Sequence, residues 1–124
     1  MERIEYLTFE DLLEIGQGVI SDFHVRDIGL LQSAALRPQM SVYGEDAYEG
    51  FAGKVAALMH SLARNHSLVD GNKRLAWSAG RVFCILNNKD LHLQIDDAEK
   101  LILEIARGEI DVQAISARIA PHIR

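Results

Sequence analysis

Residues 51–87 decide the fold; they are FAGKVAALMHSLARNHSLVDGNKRLAWSAGRVFCILN. Two groups of apolar residues recur here at the spacing of one helix face: Phe51, Val55, Leu58 and Leu62, then Leu75, Ala79, Val82 and Leu86. We therefore predict a helix from about Ala47 to Arg64 and another from about Asn72 to Asn87. The polar stretch between them, HSLVDGNKR at 66–74, is predicted to contain the loop that joins two central helices.

The chain before this stretch also has helical patterns. Thr8 suits the N-cap of a first helix that runs to about Ile20. Asp27 suits the N-cap of a short second helix, which Arg37-Pro38 should end because the residue before proline avoids the helical region. Residues 38–46 are predicted to be a loop.

After the second central helix, residues 91–95 alternate and predict a short extended segment. Asp96 to Glu99 resembles a capping box, with Asp96 as the cap of a fifth helix that ends near Gly108. A sixth helix is predicted before Pro121. The fold class is therefore all-α, one compact domain of about six helices over residues 1–124.

Composition narrows the class of protein. The 124 residues are 48% hydrophobic and 25% charged, which indicates a packed globular domain rather than disorder. No apolar run approaches the roughly 20 residues of a membrane span, and Met1 to Glu5 does not resemble a signal peptide. The single cysteine, Cys84, is expected to be an inert core residue, so we predict a cytoplasmic protein without membrane association.

Charge is distributed unevenly. The net charge of −5 argues against direct nucleic-acid binding, which needs a basic face. Residues 54–81, however, contain five cationic side chains and Asp70 as the one carboxylate. This cationic region suits a small anion such as a nucleotide phosphate, but an ordinary solvated charge cluster explains it equally well.

The polar stretch 66–74 has two interpretations. In the first, Asp-Gly-Asn is a common turn, Asp70 caps the next helix, and the cations are solvated. In the second, Lys73 and Arg74 help to bind an anion, because two cations in a first helical turn otherwise oppose the helix dipole. Gly71 would then let the backbone approach the ligand closely.

The second interpretation gives the remaining residues roles. Asp70 could hold Mg²⁺, which usually takes one or two carboxylates together with phosphate oxygens. His66 could act as a general base near neutral pH, and Asn72 could hold the loop through bonds to the backbone. Together they suggest group transfer from a nucleotide to a hydroxyl. The stretch is not a Walker loop, since Gly71-Asn-Lys follows a helix.

The stretch HSLVDGNKR resembles the signature of the Fic/Doc (Fido) family, roughly H-x-F-x-D/E-G/A-N-G/K-R. The resemblance is closer to the Doc, or death-on-curing, toxin branch, and it covers about residues 26–108. It extends upstream through Arg26-Asp-Ile-Gly-Leu-Leu-Gln-Ser-Ala and Arg37-Pro38, and downstream to Asn87-Asn88. The family implies a small helical fold with the motif loop between two central helices.

The resemblance also implies an activity. ATP would be the donor, His66 the base, Asp70 the Mg²⁺ ligand, and Gly71, Asn72, Lys73 and Arg74 the nucleotide and phosphate site. Doc toxins carry lysine at the position of Lys73 and transfer the γ-phosphate of ATP to a threonine of elongation factor Tu, which halts translation. By resemblance, this chain is expected to be such a kinase, the toxin of a type II toxin–antitoxin system.

Other readings remain open. Many Fic members have glycine at the position of Lys73 and transfer AMP to a hydroxyl, so adenylyl transfer is the alternative enzyme function. A non-catalytic binding module is the non-enzyme alternative. The Arg-x(4–6)-His motif of one class of ribonuclease toxin is not matched, because Arg118 and His122 are separated by only three residues.

Several residues depart from the family pattern or lie beside it. Ser67 and Leu68 stand where the family often has proline and phenylalanine, which puts the precision of the loop in question. Residues 41–46 match the inhibitory S/T-x-x-x-E-G/N motif only in part, so control by a separate antitoxin with a disordered tail is expected. Tyr43 and Tyr48 could belong to a flap that positions the protein substrate, or could simply anchor their loop.

The remaining polar and aromatic candidates are expected to have structural roles. Trp77 is expected to pack in the core rather than to stack on adenine, and Arg81 is expected to lie away from the phosphates. His24, His60, His92 and His122 lack the paired spacing of metal ligands.

Overall fold

The computed structural model describes residues 3–124, and it confirms the all-α class. Six α-helices follow one another: α1 (Phe9–Val19), α2 (Ile28–Leu36), α3 (Gly50–Arg64), α4 (Asn72–Leu86), α5 (Ile95–Ala106) and α6 (Val112–Ile119). Two short 3-10 turns, Arg37–Gln39 and Ala120–His122, follow α2 and α6. None of these helices is both long and apolar enough to cross a membrane.

Side-chain caps define three of the helix starts. Thr8 and Asp11 form a reciprocal capping box at α1, as the sequence predicted for Thr8. Asp27 accepts from the N–H of Leu30 at the start of α2, and Asp111 accepts from the N–H of Ala114 at the start of α6. These bonds satisfy backbone donors that the helices themselves leave without partners.

Helix α3 is the centre of the core. Nine of its 15 residues are buried, and it packs against α2, α4, α5 and α6. Its seam with α4 is close because Gly80 of α4 faces Met59, where a Cβ on Gly80 would lie 2.8 Å from the methionine side chain. The buried cluster contains residues from all six helices. The loop between α3 and α4 is therefore fixed at both ends by the best-buried helices.

Two predicted boundaries were wrong. Helix α3 begins at Gly50, not near Ala47. Helix α5 begins at Ile95 with Gln94 as its N-cap, so Asp96 lies in the first turn and caps nothing. There Asp96 still interacts favourably with the helix dipole, which explains the acidic pattern without a capping box.

The predicted loop 38–46 contains a small hairpin. Strands β1 (Ser41–Val42) and β2 (Glu45–Asp46) pair antiparallel. The two residues between them, Tyr43 and Gly44, both have positive φ, which is typical of the two-residue turns that match strand twist. The extended segment predicted at 91–95 is reduced to a single bridge between Leu91 and Ile123.

Candidate functional site

The loop from α3 to α4 starts with a turn held by Asn65, the C-cap of α3. Its side-chain amide donates to the carbonyl of Leu30 at 3.0 Å, and its Oδ1 accepts from the N–H of Ser67 at 3.1 Å. The loop is thus attached to the end of the first turn of α2 as soon as it leaves α3. A proline at position 67 would lack the N–H that makes the second bond.

His66 has an unusual backbone conformation. Its φ is +54°, in the left-handed region that non-glycine residues rarely occupy. Such a conformation costs on the order of 1–3 kcal/mol and persists where the surroundings hold it. The carbonyl oxygen of His66 accepts two bonds from Arg26, from Nη2 at 2.7 Å and from Nε at 3.2 Å. His66 is exposed and lies on the wall of a cavity.

The segment before α2 pairs with the same loop through its main chain. The carbonyl of Ser67 accepts from the N–H groups of Arg26 at 2.8 Å and Asp27 at 3.0 Å. The N–H of Val69 donates to the carbonyl of His24 at 3.0 Å. We call residues 24–27 the clamp segment. It holds residues 66–69 in a fixed register, although some 40 residues of chain separate the two.

Leu68 anchors the loop in the core. It is 1% exposed, so its side chain is buried in the position where the family often has phenylalanine. Asn72 brackets it: its Oδ1 accepts from the N–H of Leu68 at 3.0 Å, and its Nδ2 donates to the carbonyl of Leu68 at 3.1 Å. The side chain of Asn72 therefore bonds to the loop backbone, as the sequence analysis proposed.

Ser67 is also buried, and its hydroxyl stands out. The residue has no solvent exposure, and Oγ has no hydrogen-bond partner among the described residues. A buried hydroxyl without a partner is destabilising. The main-chain groups of Ser67, in contrast, are bonded to Asn65, Arg26 and Asp27.

The start of α4 corrects one interpretation of the sequence. Asp70 does not cap the helix; the N-cap is Gly71, with φ of +89° and no side-chain bond to the first turn. Asp70 is exposed, and its Oδ1 accepts from the N–H of Gly71 at 2.9 Å. A Cβ on Gly71 would lie 2.7 Å from the Cδ1 of Ile20, so both conformation and space require glycine here.

Lys73 and Arg74 lie in the first turn of α4, which contains no acidic residue. Both are exposed, and within residues 3–124 neither forms an ion pair. Arg81, two turns further on, differs because it binds Asp90 through two contacts of 2.9 and 3.0 Å. The positive charge at the start of α4 is therefore not neutralised by a neighbouring carboxylate.

A cavity of about 980 Å³ brings the predicted residues together. His66, Asp70, Gly71, Asn72, Lys73 and Arg74 all line it. The rest of its wall is largely apolar, and its larger side chains come from α4 and from the segment 91–106: Trp77, Leu91, Leu93, Ile95, Ile102 and Leu103. A pocket with one cationic side and one apolar side, in this size range, suits a ligand with an anionic part and an aromatic or apolar part.

Core packing and a place beside a bound base were alternatives for Trp77, and its position is compatible with both. It packs against the core cluster, as expected, and it also forms part of the cavity wall. Arg81 likewise lies on the wall while it is bonded to Asp90. This ion pair holds the pKa of Asp90 below its usual range, at about 2, chiefly through the hydrogen bond from the guanidinium.

The two tyrosines proposed for a flap do not line this cavity. Tyr43 is fully exposed in the hairpin turn. Tyr48 is anchored: its hydroxyl accepts from Arg37 Nε at 2.7 Å. Lys54, 2% exposed, donates to Asp46 at 3.0 Å and to the carbonyl of Tyr48 at 2.7 Å. The hairpin is thus attached to α3 by a buried ammonium, while its tip extends into solvent.

The other titratable candidates have structural roles. Residues 3–124 contain no cluster of three His, Cys, Asp or Glu side chains that could hold a metal ion. His60 accepts from Arg37, and burial together with the charges of Arg37 and Arg64 lowers its pKa. Burial raises the pKa of the Cys84 thiol to about 11, in agreement with the inert role predicted for it.

Arg26 was not among the predicted site residues, although its side chain is bonded to the backbone of His66. The signal available was its position at the start of the upstream part of the resemblance. Nothing local in the sequence reveals a bond across 40 residues. The apolar wall from residues 91–106 was missed for the same reason.

A six-helix fold with this loop between two central helices, and a basic helix start beside a histidine, matches a known class. A family model described as the Fic/DOC family matches residues 6–84, more than half of the chain. The protein belongs to the Fic/DOC family.

The similarity to one named protein covers more of the chain than the family model does. The chain is 47% identical over 119 residues to "Toxin Doc" of Mycolicibacterium smegmatis (strain ATCC 700084 / mc(2)155). The match covers 94% of this chain and 92% of that protein.

Proposed function

We propose that the protein is a Doc-type toxin of a toxin–antitoxin system, a kinase that transfers the γ-phosphoryl group of ATP to a threonine hydroxyl of elongation factor Tu. The observation that carries this proposal is the convergence of His66, Asp70, Lys73 and Arg74 on one cavity. The near full-length similarity to a protein named Toxin Doc supports the toxin part.

The phosphates would bind at the start of α4. Its first-turn N–H groups have no side-chain cap, and they carry partial positive charge. Lys73 and Arg74 add two full charges on the same cavity wall. Arginine can bind phosphate oxygens through two parallel bonds, whereas lysine acts as a compact charge.

The nucleoside would occupy the apolar side of the same cavity, between Trp77 and the residues of the segment 91–106. Aromatic and aliphatic side chains favour the burial of a base, and Trp77 offers a ring for stacking. A nucleoside triphosphate has both parts that the cavity accommodates, an apolar base and an anionic tail.

Asp70 fits a magnesium site of the kind that nucleotide enzymes use. It is an exposed carboxylate on the cavity wall, next in sequence to the start of α4 where the phosphates would lie. Mg²⁺ commonly takes one or two protein carboxylates and completes its shell with phosphate oxygens and waters. When bound, the ion would neutralise part of the phosphate charge. A site with more protein ligands would suit Ca²⁺ better.

His66 would act as the general base. The threonine oxygen forms a bond to the γ-phosphorus, and the bond from that phosphorus to the β–γ bridging oxygen breaks. ADP leaves with the bridging oxygen, and the hydroxyl proton passes to the imidazole of His66. Lys73 and Arg74 stabilise the charge on the phosphate oxygens as it redistributes.

Lys73 favours phosphoryl over adenylyl transfer. A glycine at this position would leave room for one more phosphate group, and the lysine adds both bulk and charge there. Because the lysine fills that space, we expect the nucleotide to bind in the orientation in which its γ-phosphate faces His66. Adenylyl transfer remains the second candidate, because the other motif positions are common to both reactions.

Control from outside, by an antitoxin, is part of the proposal. Residues 41–46, which match the inhibitory motif in part, form an exposed hairpin and not an inhibitory helix at the cavity. Co-expression of the cognate antitoxin should relieve growth arrest, and the purified toxin should retain the antitoxin. Arrest that persists despite its expression would contradict this part.

The test of the reaction is intact-mass analysis of elongation factor Tu after incubation with the protein and MgATP. We expect the mass of one phosphate to be added, and label from ATP to transfer from the γ- but not the α-phosphate. His66→Ala should abolish the change, and Arg118→Ala on α6, which does not line the cavity, should not. An adenylate mass would replace the kinase by the adenylyltransferase, and no modification would reject both.

A further inference from the structure

The guanidinium of Arg26 binds the residue proposed as the base, but through that residue's backbone. Nη2 and Nε converge on the carbonyl oxygen of His66, at 2.7 and 3.2 Å. Arg26 does not belong to the cavity wall, in contrast to Lys73 and Arg74. Its charge therefore acts on the loop and not on a ligand in the cavity.

The loop conformation gives this contact its importance. His66 is held at φ +54°, and the direction in which its imidazole leaves the backbone depends on that angle. The main-chain bonds of the clamp segment reach Ser67 and Val69 but not His66. Among the described residues, the side chain of Arg26 is thus the group whose hydrogen bonds restrain the carbonyl of His66 directly.

We infer that Arg26 is a positioning residue of the transfer reaction, which fixes His66 in the left-handed conformation and so aims its imidazole at the acceptor hydroxyl. This inference rests on the proposed function. Displacement of a reacting group by about 1 Å can slow a reaction about 100-fold. An arginine suits the task because its planar fork places two donors on one oxygen.

The first test compares Arg26→Ala, Arg26→Lys and Arg118→Ala in the transfer assay. Arg118 is a matched control, since its guanidinium binds Glu104 at 2.7 Å and neither residue lines the cavity. For Arg26→Ala we expect kcat to fall about 10- to 100-fold while the KM for ATP stays within about threefold. Arg26→Lys should retain part of the rate, and Arg118→Ala all of it.

Chemical rescue separates positioning from a general effect on the fold. Arg26 is exposed, so methylguanidinium at millimolar concentration can reach the space that Arg26→Ala leaves. It should restore the rate of Arg26→Ala several-fold and leave His66→Ala inactive. An unchanged kcat would overturn the inference, as would a rise in KM at constant kcat, which would make Arg26 a phosphate ligand.

A spectroscopic arm keeps this inference independent of the reaction. In isotope-labelled protein without nucleotide, Arg26→Ala should shift the Cα and amide resonances of His66 away from left-handed values, and Arg118→Ala should not. If the parent protein modifies no substrate but the His66 resonances shift in Arg26→Ala, the proposed function alone is rejected. His66 resonances that do not change in Arg26→Ala would reject the positioning role, whatever the reaction.

Discussion

The side chain of Asn72 bonds to both main-chain polar groups of Leu68, accepting at 3.0 Å and donating at 3.1 Å. The first residue of α4 thus closes the loop that precedes it. Replacement by alanine removes both bonds and leaves two partly buried backbone groups without them.

We expect Asn72→Ala to lower the free energy of unfolding by about 1–3 kcal/mol, and to speed amide exchange at Leu68. Urea unfolding and hydrogen exchange measure the two effects. Gln32→Ala on α2 is the control, because Gln32 is exposed and its side chain has no hydrogen bond among those described. Equal stability of the two variants would mean that Asn72 does not hold the loop.

Gly71 is required for two separable reasons. Alanine would be strained at φ +89°, and its Cβ would displace Ile20. Gly44 has φ of +79° but open space around it, so Gly44→Ala measures the strain alone. We expect about 1–2 kcal/mol of destabilisation for Gly44→Ala and a larger loss for Gly71→Ala in urea unfolding. If Gly71→Ala lowers the free energy of unfolding no more than Gly44→Ala does, the side chain of Ile20 moves aside without an energetic penalty.

Ser67→Ala should stabilise the protein. The substitution removes a buried hydroxyl that has no hydrogen-bond partner within residues 3–124, and we expect a gain of about 1 kcal/mol in the free energy of unfolding. Ser61→Ala is the matched control, since Ser61 Oγ accepts from Arg37 at 2.9 Å and its loss should destabilise. Destabilisation of Ser67→Ala to the same extent would mean that its hydroxyl does have a partner.

The ion pair of Asp90 with Arg81 predicts a pH dependence. The pKa of Asp90 is lowered to about 2 in the folded protein, so its contribution is complete above the ordinary carboxyl pKa of roughly 4 and is lost as the pH falls through the folded value. Asp90→Asn should therefore lower the Tm at pH 7, and the difference from the parent should narrow below pH 4. Thermal unfolding at pH 7, 5 and 3 measures it; a gap that widens towards acid would contradict the assignment.

The sequence predicted what depends on neighbours along the chain. Apolar spacing located α3 and α4, and the chemistry of Thr8 located the start of α1. The polar types in 66–74 also identified the residues that share the cavity wall. Each of these inferences uses residues within about three helical turns of one another, where geometry is set by the backbone period.

Features that depend on distant contacts were not predictable in this way. The bonds of Arg26 to His66, and the apolar wall opposite Lys73, arise only when remote segments pack together. The short hairpin was missed because two-residue strands cannot show alternation, although Tyr43-Gly44 is a turn signal in retrospect. Asp96 looked like a cap because an acidic residue is favoured both at the cap and in the first turn.

The clamp segment has a consequence for divergence among relatives. Its bonds to Ser67 and Val69 are made by main-chain groups, which every residue except proline supplies in full. Substitutions at positions 67 and 68 can therefore accumulate while the register is kept. An insertion or deletion between 24 and 27, or between 66 and 72, would shift the register and misalign His66. Distant relatives should consequently differ in residue type at positions such as 67 and 68 and yet agree in the length of these two segments.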